Sequence, residues 1–314
     1  MKSAQQTVAV LGLGAMGLPI ALHLLEAGCT VHGCDVSRRQ LSILMSAGGS
    51  GVVNPCELPT DCSVYFLVLP NPEITEEALF GDKGLVKGNL RSGDTVINLG
   101  TIGPEAVLGV ARRLEEINVD VLDIPMGKSS AAASTGTLSL LASGDKEIFD
   151  ALLPLLKNIA TEIRYCGPLG MASTIKIINN LVSATIVDVV AQGLAFGAAV
   201  GVPIDKLIEF MSTTGADNWH LRNTFANRVT QRDFNPGASI DIVAKDMKIG
   251  LSLAANNHVS LATIALSYQR YLAAQAAGFG LEDWGALAKV AERDSGDNVE
   301  ILHVGEISLV TPSP

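Results

Sequence analysis

Three lysines sit where a lysine can do chemistry. Residues 170–180 read GMASTIKIINN, with Lys176 four residues before Asn180. On a helix these two share a face, and Asn179 points elsewhere. A lysine inside a largely apolar helix is costly unless it has a partner or a task. Burial lowers its pKa, which suits it to carry a proton near neutral pH. Asn180 can hold a substrate hydroxyl or carbonyl beside it. From this window alone, a proton-transfer lysine and a solvated lysine at the mouth of a domain joint are equal readings. Lys128 lies in DIPMGKSS, between Gly127 and the hydroxyls of Ser129 and Ser130. One cation among neutral donors suits a planar or tetrahedral anion. The alternative is a solvated lysine in a Gly/Ser loop. Lys245, followed by Asp246, is by itself either a surface ion pair or a group that reaches the cofactor.

The glycines supply a second kind of chemistry. Residues 8–17 read VAVLGLGAMG, and Gly12, Gly14 and Gly17 fit G-x-G-x-x-G at a turn from strand to helix. The first permits the turn, the second lets backbone approach a pyrophosphate, and the third lets helix and strand pack closely. Loop residues Gly12, Leu13, Gly14, Ala15 and Met16 are therefore expected to hold a dinucleotide. Asp35, at the end of the next strand, can accept from ribose hydroxyls and repels a 2′-phosphate, so NAD is expected over NADP. Arg38 and Arg39 could rescue NADP binding, but are read rather as solvated residues of a helix's first turn. Leu69, Pro70, Asn71 and Thr101 fall at strand C-termini that should line the cofactor cleft. No His/Cys/carboxylate spacing suggests a metal site.

These residues need a scaffold, and the sequence describes one. Short β-branched runs at 7–12, 30–35, 64–69, 95–99, 119–125, 138–143 and 162–167 alternate early on with helical patterns. Continuous apolar strands between helices indicate a parallel sheet covered on both faces. After residue 167 nearly everything reads as helix. The expectation is an α/β Rossmann domain, doubly wound and mostly parallel, over 1–167, followed by an all-α domain over 168–314. The pattern over 171–200, apolar on nearly all faces, is the long helix that joins them. It must be buried between domains or against another subunit. The tail LVTPSP is expected to fray.

Composition sets the bounds. The chain has 314 residues, 48% of them hydrophobic and only 17% charged, which points to a large subunit interface. A net charge of −10 argues against nucleic acid or an anionic membrane as partner, and leaves open a small anion met by locally concentrated positive charge. The five cysteines form no C-x-x-C pair and read as buried free thiols of a reducing cytosol. Residues 7–25 and 189–204 are apolar but lack the flanks or length of a signal peptide or a membrane span. A soluble, cytoplasmic protein is expected.

Taken in order, the glycine fingerprint, the NLGTIGP loop, DIPMGKSS…GTLSLLASG, GPLGMASTIKIINN and the AKD motif resemble the β-hydroxyacid dehydrogenase family, which includes 3-hydroxyisobutyrate dehydrogenase and tartronate semialdehyde reductase. The resemblance covers residues 7–295. It implies an NAD-dependent oxidoreductase in which Lys176 exchanges the proton at the substrate oxygen. Asn180 binds substrate, Lys245 lies close to the nicotinamide, and Thr101 helps close the cleft. It also implies a homodimer or homotetramer. The lysine argues against the related imine reductases.

Two departures stand out. The family's strand-end D-x-S-T appears as Asn98-Leu99-Gly100-Thr101. Its substrate loop D-x-P-V-S-G-G appears as Asp123-Ile124-Pro125-Met126-Gly127-Lys128-Ser129. The second resembles the sulfolactaldehyde reductase branch, whose loop holds a sulfonate. The expected substrate pair is therefore 3-sulfolactaldehyde and 2,3-dihydroxypropane-1-sulfonate, with Gly127, Lys128, Ser129 and Ser130 around the anion. Tartronate semialdehyde, succinic semialdehyde and 3-hydroxyisobutyrate are the alternatives. A regulator that senses NADH without turnover is the reading from another class, and it has no use for the Lys176/Asn180 pair.

Overall fold

The β-branched runs become strands because each is apolar on both sides and needs cover on both. In the computed structural model, which describes residues 6–88, 90–296 and 299–302, nine strands alternate with helices in the first half. The strands are β1 Thr7–Leu11, β2 Thr30–Cys34, β3 Ser50–Val52, β4 Val64–Leu67, β5 Thr95–Asn98, β6 Asp120–Asp123, β7 Met126–Gly127, β8 Leu138–Gly144 and β9 Ala160–Tyr165. The helices among them are α1 Gly17–Glu26, α2 Arg38–Ser46, α3 Pro72–Phe80, α4 Pro104–Glu115, α5 Ser130–Ser134 and α6 Lys146–Leu156. The sheet order is β3-β2-β1-β4-β5-β6-β8-β7, with β9 on β8. The first six strands pair in parallel. This is the order of a dinucleotide-binding sheet, continued past β6 by an antiparallel β8.

Alternation along the strands builds two cores. Val8 and Val10 of β1, Val64 and Phe66 of β4 and Ile97 of β5 pack toward Ile20, Leu24 and Leu44 of α1 and α2. Ala9, Leu11, Tyr65, Leu67 and Val96 pack on the opposite face toward Leu79, Val110 and Leu114 of α3 and α4.

The second half is helical: α7 Met171–Ala199, α8 Ile204–Met211, α9 Ile240–Asn256, α10 Ala262–Ala276 and α11 Leu287–Ser295, with short 3₁₀ and π turns between them. Asp188, buried on α7, accepts from Ser267 Oγ at 2.8 Å and Arg270 Nε at 2.6 Å. Tyr271 donates from the same helix, α10, to Ala184 O. α7 is long and apolar enough to cross a membrane by length and composition, and half of its most apolar window is buried inside the protein.

The chain divides into two compact units at Ile177/Ile178, ten residues beyond the boundary expected from sequence. The reason is local: the first turn of α7 is tied to the sheet, since Ala172 N donates to Ser143 Oγ and Ser173 N to Asp123 Oδ2. All five cysteines are free, but only Cys34 and Cys62 are buried; the other three are half-exposed. The expected frayed tail, 309–314, lies outside the described residues.

Candidate active site

The three glycines of the first loop are separated by what a side chain would meet there. Gly12 has φ +91°, and a Cβ on it would lie 2.3 Å from Val68 O. On Gly17 it would lie 1.8 Å from Gly12 O, so α1 packs onto the turn only without a side chain. On Gly14 it would meet nothing within 4 Å. The middle glycine therefore faces open space in front of the α1 N-terminus, where a pyrophosphate needs close backbone approach. Asp35 fixes this loop to the end of β2: its Oδ2 accepts from Leu13 N at 2.6 Å and its Oδ1 from Ser37 N at 2.7 Å. These residues fit a dinucleotide. Arg38 and Arg39 open α2 and are exposed.

The loops after β4 and β5 lie against each other. A Cβ on Gly100 would come within 2.5 Å of Leu69 O, which brings Leu69-Pro70 beside Gly100-Thr101. Thr101 is half-buried there. Asn71 is committed to structure, its Oδ1 accepting from Ile74 N at 2.8 Å to cap α3.

Lys128 follows Gly127 at the end of β7 with φ +68°, a left-handed conformation that favours glycine. Its ammonium donates to Thr137 O at 3.0 Å and pairs with Glu162 Oε1 at 3.1 Å. Ser129 and Ser130 lead into α5, with Ser129 exposed and Ser130 half-buried. The loop thus binds a carboxylate already, from β9. The Lys128 hydrogen bond and charge hold the Glu162 carboxyl below its usual range. No local spacing announces Glu162; it arrives because Gly127, Ser139 and Glu162 share one row across β7, β8 and β9.

Lys176 and Asn180 sit one turn apart on one face of α7, both half-buried, while Asn179 is exposed. Asn180 Nδ2 donates to Asp246 Oδ2 at 2.7 Å. Asn180 Oδ1 accepts from Asn179 Nδ2 at 3.2 Å. Lys245 Nζ lies 3.0 Å from Asp246 Oδ1, close enough to pair by charge without hydrogen-bond alignment. Asp246 is buried and joins Asn180 to Lys245. The sequence offered Lys245-Asp246 as a surface ion pair or as a group reaching the cofactor; the period of α9, which turns 243, 246, 247 and 250 inward, is the signal that places Asp246 inside. One turn beyond Asn180, Ser183 Oγ lies 2.7 Å from Nε2 of the buried His220. That pair was not legible either.

The fold also gathers His32, Asp61 and Cys62, whose ligand atoms lie within 4.8 Å of one another. No sequence spacing showed this. His32 Nδ1 is bonded to Ser50 Oγ, and its Nε2 is 3.7 Å from Asp61 Oδ1. Burial, then Asp61 and Asp94, push the Cys62 thiol up to about 12, so it is a protonated thiol at neutral pH.

The chain matches two family models end to end: the NAD binding domain of 6-phosphogluconate dehydrogenase over residues 7–167, and the NAD-binding domain of NADP-dependent 3-hydroxyisobutyrate dehydrogenase over 170–291. It is 31% identical to a 3-sulfolactaldehyde reductase of Escherichia coli K12, over 94% of this chain and 98% of that protein. It is also 31% identical to an L-threonate dehydrogenase of Cupriavidus necator, over 91% and 96%. Among solved structures it resembles a 3-hydroxyisobutyrate dehydrogenase from Salmonella typhimurium, with TM-score 0.80, 25% identity, and 91% and 99% of the two chains covered.

Proposed function

The chain belongs to the 3-hydroxyisobutyrate dehydrogenase-like family, and from that premise we propose that it interconverts a small anionic aldehyde and its alcohol, 3-sulfolactaldehyde and 2,3-dihydroxypropane-1-sulfonate being the favoured pair. It is an oxidoreductase that uses a nicotinamide cofactor. The observation that carries the substrate class is Lys128. Where the family loop has glycine, this chain spends a left-handed position on a cation, and that cation holds a carboxylate. A sulfonate, ionised at every physiological pH and bearing three acceptor oxygens, suits an ammonium beside the hydroxyls of Ser129 and Ser130.

The bound nicotinamide supplies or accepts the hydride; the protein holds, orients and moves one proton. Lys176 gives that proton to the carbonyl oxygen in reduction and takes it back in oxidation. Asp246 fixes the Asn180 amide by accepting from Nδ2. Asn180 Oδ1, which accepts from Asn179 Nδ2, has a second lone pair with which to accept a substrate hydroxyl. The family resemblance assigns Lys245 a role near the nicotinamide, and Asp246 would offset its charge there. Asp35 favours NAD, since a 2′-phosphate would meet its carboxylate. The exposed side of α7 carries Met171, Ile175, Ile178, Val182, Val189 and Phe196 at spacings of three, four and seven. This stripe supports assembly with a second copy in a soluble, cytoplasmic homodimer or homotetramer.

A hydroxycarboxylate substrate is the second reading, because a relative named L-threonate dehydrogenase shares the same 31% identity as the sulfolactaldehyde reductase. Parallel kcat/KM values decide between them: 3-sulfolactaldehyde, tartronate semialdehyde and succinic semialdehyde with NADH and NADPH, and 3-hydroxyisobutyrate and L-threonate with NAD. The sulfonated aldehyde with NADH should lead by an order of magnitude. A carboxylate that equals it overturns the sulfonate assignment. Lys176→Ala should abolish turnover while NADH binding persists.

A further inference from the structure

Asp123 ends β6 opposite Asn98 of β5 and Ser143 of β8, and it is fully buried. Its carboxylate is surrounded by donors. Oδ1 accepts from Asn98 Nδ2 at 3.1 Å and from Ser173 Oγ at 2.8 Å. Oδ2 accepts from Ser173 N at 2.9 Å, with Ser143 Oγ at 3.4 Å. Ser143 Oγ in turn accepts from Ala172 N at 3.1 Å. Two first-turn N–H groups of α7, which no residue of that helix can satisfy, are thus bonded from the sheet. The negative charge also lies at the favourable end of a 29-residue helix. Three residues on, the same helix carries Lys176; five residues on from Asp123, the strand's loop carries Lys128.

We propose that Asp123 is a positioning residue for the reaction: it clamps the first turn of α7 to the strand from which the anchor loop springs, so that the proton donor and the anion site keep a fixed geometry. The proposal rests on the reading of Lys176 as proton donor.

The side chain must be an acceptor on both oxygens. Asn98 Nδ2 faces one and Ser173 N–H the other, and neither can accept. An asparagine would therefore oppose an N–H with its own N–H in either orientation. Asn98 is itself held in one orientation, because Nδ2 also donates to Gly100 O at 2.9 Å. Where the family carries an acid at position 98, this chain has an amide that feeds the Asp123 carboxylate.

The test uses the full chain and compares Asp123→Asn, Ser173→Ala and Lys176→Ala with the unaltered enzyme. It measures NADH affinity by fluorescence, kcat, KM, and the primary isotope effect with NADH deuterated at the transferred position. Displacement of a reacting group by about 1 Å costs on the order of 10²-fold in rate. Asp123→Asn should thus lower kcat about 10- to 100-fold, leave the NADH Kd within about twofold, and raise the isotope effect as chemistry becomes limiting. Ser173→Ala, which keeps the N–H bond and loses one hydroxyl, should move both in the same direction by less. A residue that merely supports the fold would lower the melting temperature and leave kcat and the isotope effect of the folded enzyme unchanged; that result overturns the proposal. If Asp123→Asn does not fold, Ser173→Ala decides in the same terms. Turnover by Lys176→Ala would overturn the parent reading and this one with it; an inactive Lys176→Ala beside an unaffected Asp123→Asn and Ser173→Ala overturns this one alone.

Discussion

The Lys128 ammonium lies 3.1 Å from Glu162 Oε1, so the expected substrate anchor is occupied by a carboxylate of the protein's own. Both side chains are near 40% exposed, and such pairs are weak. A substrate anion that takes Lys128 must displace Glu162 or share the cation with it. Arg164 Nη2, 3.2 Å from Glu162 Oε2, can retain the carboxylate when that happens.

Glu162→Gln should therefore lower KM for anionic aldehydes about two- to fivefold, the range of a weak exposed pair, with kcat unchanged. The decisive comparison is a neutral aldehyde, whose KM should not move. Equal effects on charged and neutral substrates would show that Glu162 shapes the loop and does not compete for its cation.

Lys128→Gly separates strain from recognition. The position has φ +68°, which costs a side-chain-bearing residue roughly 1 kcal/mol and glycine almost nothing. The variant should be as stable as the parent or slightly more so in urea, while KM for the sulfonated aldehyde rises about tenfold or more. A loss of stability without a change in KM would make Lys128 a structural staple.

His220 makes the helical unit sensitive to acid. It is buried between Ser183 Oγ at 2.7 Å and Thr224 Oγ1 at 3.0 Å, with its ring 4.5 Å from that of Trp284. Burial, partly offset by Asp283, lowers its pKa from 6.5 to about 4. Between those values the unfolded chain takes up a proton that the folded chain refuses. The stability linked to His220 is whole above pH 6.5 and falls as the pH drops, by roughly 3 kcal/mol at pH 4. Urea unfolding of the unaltered protein and of His220→Gln at pH 7 and 4.5 measures this. The His220→Gln protein should lose about 2–3 kcal/mol less on acidification, and parallel losses would remove His220 from the account.

The sheet was legible because buried parallel strands are written as unbroken β-branched runs, and the runs at 7–12, 64–69 and 138–143 carry β1, β4 and β8. β3 was not: Ser50-Gly51-Val52 is a three-residue edge strand with no run to read. The same division holds at the site. Lys176 and Asn180 are local in sequence, and helical periodicity alone puts them on one face. Glu162 and Asp123 act through partners 34 and 50 residues away, brought together by strand pairing and by the first turn of α7. The departure at position 98 was visible as a lost acid. Its consequence, an amide turned on Asp123, required the β5–β6 register.

The glycine loop gives the sharpest test of the cofactor site, because its three glycines predict different failures. At Gly14 a methyl meets nothing within 4 Å of protein, so Gly14→Ala should fold and melt as the parent does in the absence of cofactor. With the dinucleotide placed over this loop as proposed, the methyl takes space the pyrophosphate needs, so the NADH Kd should rise tenfold or more. At Gly17 the methyl would meet Gly12 O at 1.8 Å. Gly17→Ala must push α1 off the turn, and it should lower the melting temperature even without cofactor. A Gly14→Ala protein that binds NADH normally would mean the dinucleotide does not pass over this loop, and the roles argued for Asp35 and Lys176 would lose their common reference.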